Sequence, residues 1–143
     1  MNDSTICVDS NVLLKLVLAE DDSLAVRDLW RDLEASGMQL VAPALLFYEV
    51  ASVLRNKAHR KLLTDDEADV GLAYLMSLSL TVAYSPELHE KALRLARRFG
   101  RPDAYDAHYL ALAEELDCEL WTADGRLYNA VHDRFPLIRM LGA

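Results

Sequence analysis

"TICVDSNVLLKLVLA", residues 5 to 19, changes character in its middle, and that change decides the fold. Residues 5 to 9 form a short apolar run of strand type. From Ser10 onward the apolar residues recur at helical spacing, and Ser10 is well placed to cap the helix. The same switch recurs along the chain. "QLVAP" at 39 to 43 is a strand ended by proline, followed by a long helix to about Arg60. "LTVAYS" at 80 to 85 leads into "PELHEKALRLARRFG", with Pro86 in the first turn and Gly100 at the end. "CELWTAD" at 118 to 124 precedes the short helix "GRLYNAVHDRF", and "LIRML" is a last strand. Three further helices complete the pattern. One runs from Asp22 to about Ser36 and stops at Gly37; one opens at Thr64 and Glu67 with a capping box; one, "AYDAHYLALAEELD", is capped by Asp103. Strands alternating with helices imply right-handed βαβ units, so the expected fold is α/β with a central parallel sheet covered on both faces. Such sheets bind ligands outside the carboxyl ends of their strands.

Composition narrows the possibilities. A chain of 143 residues fits a single domain that spans residues 1–143 and buries roughly two thirds of its unfolded surface. With 52% hydrophobic and 27% charged residues, it reads as a globular protein rather than a disordered one. The acidic start lacks the features of a signal sequence, and "VLLKLVLA" is far short of the ~20 residues a bilayer requires, so a cytoplasmic protein without a membrane partner is expected. Cys7 and Cys118 sit in or beside strand-like segments and read as buried thiols. A net charge of −8 argues against a general nucleic-acid coat, so any phosphate contact must be local. The basic runs "RNKAHRK" at 55 to 61 and "RLARRFGR" at 94 to 101 suit a solvated helix face as well as an RNA footprint. The histidines at 59, 89, 108 and 132 lack metal-ligand spacing.

Four acids stand out by position. Asp9 closes the first strand and Asp124 closes "CELWTAD", which places both on the ligand-binding rim. Asp106 heads a helix stripe through Tyr109, Leu110, Ala113 and Leu116. Glu49 interrupts the apolar run "ALLFYEVASVL" and shares a face with Leu46, Val50 and Val53, so it points inward. A buried carboxylate needs a proton, a basic partner or a metal ion. Four of them make a metal the economical solution, and oxygen-only ligands suit Mg²⁺ or Mn²⁺. Such ions orient and acidify water for attack on a phosphodiester, which is nuclease chemistry. Each acid also has a plainer role open to it: helix capping for Asp9 and Asp124, helix-dipole stabilisation for Asp106, a core ion pair for Glu49.

At this point the sequence resembles the PIN-domain family, in particular the VapC-like ribonuclease toxins. "VDSNVLLKL" around Asp9, "YEVASVLRN" around Glu49, "AYDAHYLALAEEL" around Asp106 and "LWTADGRLYNAV" around Asp124 match its four acidic motifs in order. The resemblance implies a three-layer α/β/α sandwich and a metal site of Asp9, Glu49, Asp106 and Asp124 holding Mg²⁺ or Mn²⁺. It also implies hydrolysis of RNA, and commonly a homodimer neutralised by a cognate antitoxin. Asn11 and Thr122 match accessory polar positions of those motifs, and Asp103 is read as a cap that can reach a second ion. Tyr48, Tyr105 and Trp121 adjoin the motifs and are suited to stacking on bases, with core packing as their default. Leu13, Leu14, Val17, Leu24 and Trp30 either cover the sheet or form a dimer face. The main alternative is a non-catalytic PIN-like module that binds RNA or protein. A phosphoacceptor protein fits less well, because Asn11 stands where an aspartyl phosphatase needs a second aspartate.

Overall fold

The central strand of a parallel sheet covered on both faces has no solvent side, so a buried run must occupy it. β1 (Thr5–Val8) is that strand, and all four of its residues are buried. In the computed structural model, which describes residues 1–141, β1 pairs in parallel with β2 (Gln39–Pro43) on one side and β4 (Glu119–Thr122) on the other. β3 (Thr81–Ala83) extends the sheet beyond β2 and β5 (Ile138–Met140) extends it beyond β4, giving the order β3-β2-β1-β4-β5 with every pair parallel. The chain turns from one half of the sheet to the other between β1 and β4. At such a reversal the loops leaving the two strands diverge and open a crevice.

The described residues form seven helices around this sheet, in a three-layer α/β/α arrangement. They are α1 (Ser10–Lys15), α2 (Ser23–Ala35), α3 (Leu45–His59), α4 (Asp65–Met76), α5 (Pro86–Arg98), α6 (Tyr105–Leu116) and α7 (Gly125–Val131). α6 packs on β1, β2 and β4 and pairs with α5, while α3 packs against α1 and α4. Burial of Ala107, Tyr109, Leu110, Ala111, Leu112 and Ala113 explains why α6 is apolar nearly all round. The punctuation works as the sequence suggests: Thr64 and Glu67 form a capping box, Pro86 starts α5, and Gly37 and Gly100 take positive φ beyond α2 and α5. Leu13, Leu14 and Trp30 are buried in the core, so they cover the sheet, whereas Leu24 is exposed. Cys7 and Cys118 are free, buried thiols.

Two expectations about capping change. Asp9, not Ser10, is the N-cap of α1, because the extended backbone lies at Asp9 and its carboxylate accepts from the Val12 N–H. Ser10 is the first helical residue and is buried. Asp103 does not cap α6, whose N-cap is Ala104; it bonds instead to the Tyr105 N–H two residues on, a local turn.

Deleting buried volume should cost far more than deleting a cap. Leu110→Ala in α6 is expected to lower unfolding free energy by about 2 to 5 kcal/mol, and Thr64→Ala by about 1 kcal/mol. Urea denaturation of the two variants beside the parent measures both.

Candidate active site

Strand register places the first acid. Val8 lies opposite Trp121, so the next step up the sheet puts Asp9 beside Thr122, at the reversal between β1 and β4. There Asp9 is only 2% exposed. Its Oδ1 accepts from the Val12 N–H at 3.1 Å and its Oδ2 accepts from the Thr122 hydroxyl. Thr122, itself fully buried, also accepts from the Asp124 N–H at 3.0 Å. One hydroxyl therefore ties the carboxylate after β1 to the turn after β4. Asp124 stands two residues past the end of β4 rather than in it, because its own Oδ1 caps α7 by accepting from the N–H groups of Arg126 at 2.9 Å and Leu127 at 3.3 Å.

The remaining two acids come from α3 and α6. Glu49 is half-buried, at the margin of the α3 stripe whose buried members are Leu46, Val50 and Leu54. Its Oε1 accepts from the Tyr109 hydroxyl at 2.5 Å. Asp106, in the first turn of α6, is also half-buried and accepts from Arg101 Nη2 at 3.3 Å. Tyr109 lies three residues beyond Asp106, so one helical turn supplies both an acid and the hydroxyl that holds Glu49. Sequence reading placed Tyr109 in the core stripe and Arg101 in a basic run, and gave neither a role beside the acids. The tyrosine's i+3 spacing from Asp106 was a usable signal; nothing local marked Arg101. Asn11 is half-buried on α1, and Asp103 is exposed. Tyr48 and Tyr105 do not take their default place in the core: they are 74% and 61% exposed. Trp121 is half-buried, its Nε1 donating to Glu119 at 3.1 Å.

A family model for the PIN domain matches residues 6–132. The chain belongs to the PIN-domain family. Among curated PIN relatives, it is 34% identical over 134 residues to Ribonuclease VapC3 of Pyrobaculum aerophilum, covering 92% of this chain and 95% of that protein. It is 32% identical over 125 residues to Ribonuclease VapC9 of Mycobacterium tuberculosis, covering 85% and 96%. Among solved structures, a chain of a toxin–antitoxin complex from Klebsiella pneumoniae superposes with a TM-score of 0.64 at 18% identity, covering 94% of this chain and 96% of that one.

The surroundings of these acids shift three of them toward the neutral form. Burial raises the Asp9 pKa to about 7; the bonds from Thr122 and Val12 offset part of that rise, and the charges of Asp124 and Asp106 add to it. Burial likewise raises Glu49, against the Tyr109 hydrogen bond, and Asp106 raises it further. Asp106 is raised by burial and then by Asp124, with Arg101 pulling the other way. The acids thus share one neighbourhood. Yet among the described residues no three His, Cys, Asp or Glu side chains are drawn together tightly enough to cage an ion. Each of the four acids instead accepts a hydrogen bond from the protein itself. This donor set fits a hard cation that keeps most of its waters and takes one or two carboxylates, rather than a closed site.

A raised acid pKa has a definite sign in stability. Between the ordinary aspartate value of about 4 and about 7, folded Asp9 holds a proton that the unfolded chain has released, so stability falls as pH rises. In a chelating buffer the melting temperature is expected to drop from pH 5 to pH 8, and Asp9→Asn is expected to flatten that slope and melt higher than the parent at pH 8. Thermal scans of both proteins across this range measure it; parallel slopes would assign the effect elsewhere.

Proposed function

We propose that this chain is a divalent-metal-dependent endoribonuclease that hydrolyses RNA phosphodiester bonds, and that it acts as the toxin of a toxin–antitoxin pair. The observation that carries the proposal is Asp9: a buried carboxylate at the sheet's reversal, crowded by two further acids and without a cationic partner among its bonded groups. Relatives named as ribonucleases, matched over most of both chains, support the reaction class.

Asp9, Glu49, Asp106 and Asp124 would hold Mg²⁺ or Mn²⁺. When bound, the ion polarises the phosphoryl oxygen, lowers the pKa of the attacking water and stabilises the leaving oxygen. The protein's own groups set up that chemistry. The Thr122 hydroxyl and Val12 N–H fix both oxygens of Asp9, so the carboxylate does not rotate away from the crevice. Tyr109 does the same for one oxygen of Glu49. Arg101 neutralises part of the charge on Asp106 and keeps a guanidinium at the edge of an otherwise repulsive site, where a phosphate can meet it. Without a cation the acids repel the RNA backbone, so substrate approach and reaction share one requirement.

The proposal extends to partners. A largely apolar groove of about 530 Å³ between α3, α4 and the segment after α1 is lined by Leu16, Val17, Leu54 and Val70, together with Asp66 and Glu67. It suits an amphipathic segment of a cognate antitoxin. A homodimer belongs to the same proposal.

Asp9→Asn is expected to abolish cleavage of single-stranded RNA in Mg²⁺ or Mn²⁺ while the protein stays folded. Thr122→Val, which frees the Asp9 carboxylate, is expected to lower the rate or the apparent metal affinity roughly 10- to 100-fold. A chelator should stop the parent, and excess Mg²⁺ should restore it. Undiminished metal-dependent cleavage by clean Asp9→Asn protein would overturn the assignment.

A further inference from the structure

We infer that a pocket beside the acids receives one unpaired nucleobase of the RNA strand and so sets the base preference of cleavage. The inference rests on the ribonuclease reading and deepens it. The pocket has a volume of about 250 Å³ and opens where β2 and β3 end, at Pro43 and Ala83, on the rim that also carries Asp9. Tyr48, Tyr84 and Tyr105 line it, and they are 74%, 68% and 61% exposed. Three tyrosines thus leave most of their surface open around one apolar hollow.

Position favours a base as the occupant. Tyr48 directly precedes Glu49 in α3, and Tyr105 directly precedes Asp106 in α6. A group seated between these rings lies against the same two helices that carry Glu49 and Asp106, without touching the acids themselves. No Asp, Glu, Lys or Arg lines the pocket, so its occupant is not a phosphate. A flat, neutral π-face is the group that aromatic walls accept, with little regard to sequence in stacking alone.

Discrimination between bases needs a polar group, and on this otherwise apolar wall the exposed ring of His89 is the candidate. His108 Nδ1 lies 2.6 Å from the Ala104 carbonyl, which can only accept, so that nitrogen carries the hydrogen. With neutral rings, His108 Nε2 then accepts from His89 Nδ1 at 3.0 Å. His89 is left with a bare Nε2 acceptor, which suits a ring N–H or an exocyclic amine of a base. The ring of His89 is held edge-to-face by Tyr84 at 5.7 Å and by His108 at 5.1 Å. Ser85, on the same wall, has a buried hydroxyl without a hydrogen-bond partner.

The test is cleavage of a random-sequence single-stranded oligoribonucleotide pool in Mn²⁺, with the ends sequenced, for the parent and for Tyr48→Ala, Tyr105→Ala, His89→Ala and Tyr48→Phe. The parent is expected to prefer particular bases at one position beside the cut. Tyr48→Ala and Tyr105→Ala should lower kcat/KM by roughly five- to a hundredfold, the range produced by losing one base–aromatic stack. His89→Ala should flatten the preference with a smaller rate loss, and Tyr48→Phe should retain both. Because both tyrosines are exposed, melting temperatures should stay within a few degrees of the parent. Cutting whose preference and rate survive the alanine variants overturns the pocket while leaving the nuclease intact. Alanine variants that change only the molecular mass in light scattering, with base preference kept, overturn it in favour of a protein interface. If the parent cuts nothing in any metal, the nuclease reading fails, and NMR titration with the four nucleoside monophosphates decides the pocket alone: shifts at Tyr48, Tyr84 and Tyr105 sustain it, and none overturns it.

Discussion

The site depends on a carboxylate kept where water cannot solvate it. Asp9 is enclosed by the strands on either side of the sheet's reversal, and what offsets its desolvation is one hydroxyl from β4 and one backbone N–H from α1. Hydrogen bonds from such neutral donors to a carboxylate contribute about 1.5 to 3 kcal/mol each, less than the cost of burying a full charge. The fold therefore carries an unresolved electrostatic demand at its centre. Proteins tolerate such demands at functional positions because the surrounding core is stable enough to hold them. Here that core is the apolar body of α6 and the wholly buried β1.

The same economy appears around Glu49. Tyr109 is buried, packs in the core, and turns its hydroxyl out to the carboxylate of another helix. Core packing fixes the ring, and the ring fixes the acid. Positioning of α3 against α6 thus reaches the site through a rigid aromatic lever rather than through loops, whose mobility would blur the geometry. Arg101 acts from a loop, and its bond to Asp106 is longer and half-exposed, so that corner of the site is the more adaptable one.

Much of this was legible in the sequence, for identifiable reasons. Strand and helix alternate cleanly, and the break in period after Asp9 puts that acid at a strand end, on the rim. Thr64 with Glu67, and Pro86, are local signals whose partners lie within a few residues, so the capping box and the start of α5 are as read. The errors concern geometry that spacing does not encode. Ser10 and Asp9 are both competent caps, and only the extended backbone at Asp9 decides between them. Glu49 points inward only from the margin of the stripe of Leu46, Val50 and Leu54, a degree of burial that spacing does not encode. Tyr48 and Tyr105 looked like core residues because aromatic residues usually are, and their exposure follows from helix faces turned to the rim. The Thr122 contact to Asp9 spans 113 positions and could be suspected only by matching motifs.

That span has a bearing on biosynthesis. β1 leaves the ribosome well before its second neighbour in the sheet, β4, which begins at residue 119, and long-range parallel pairing is slow to form. Until then the nascent chain carries Asp9 without the hydroxyl that orients it and without the turn that brings Asp124. The surroundings of Asp9 are therefore completed only by a strand and turn far downstream of the acid they orient.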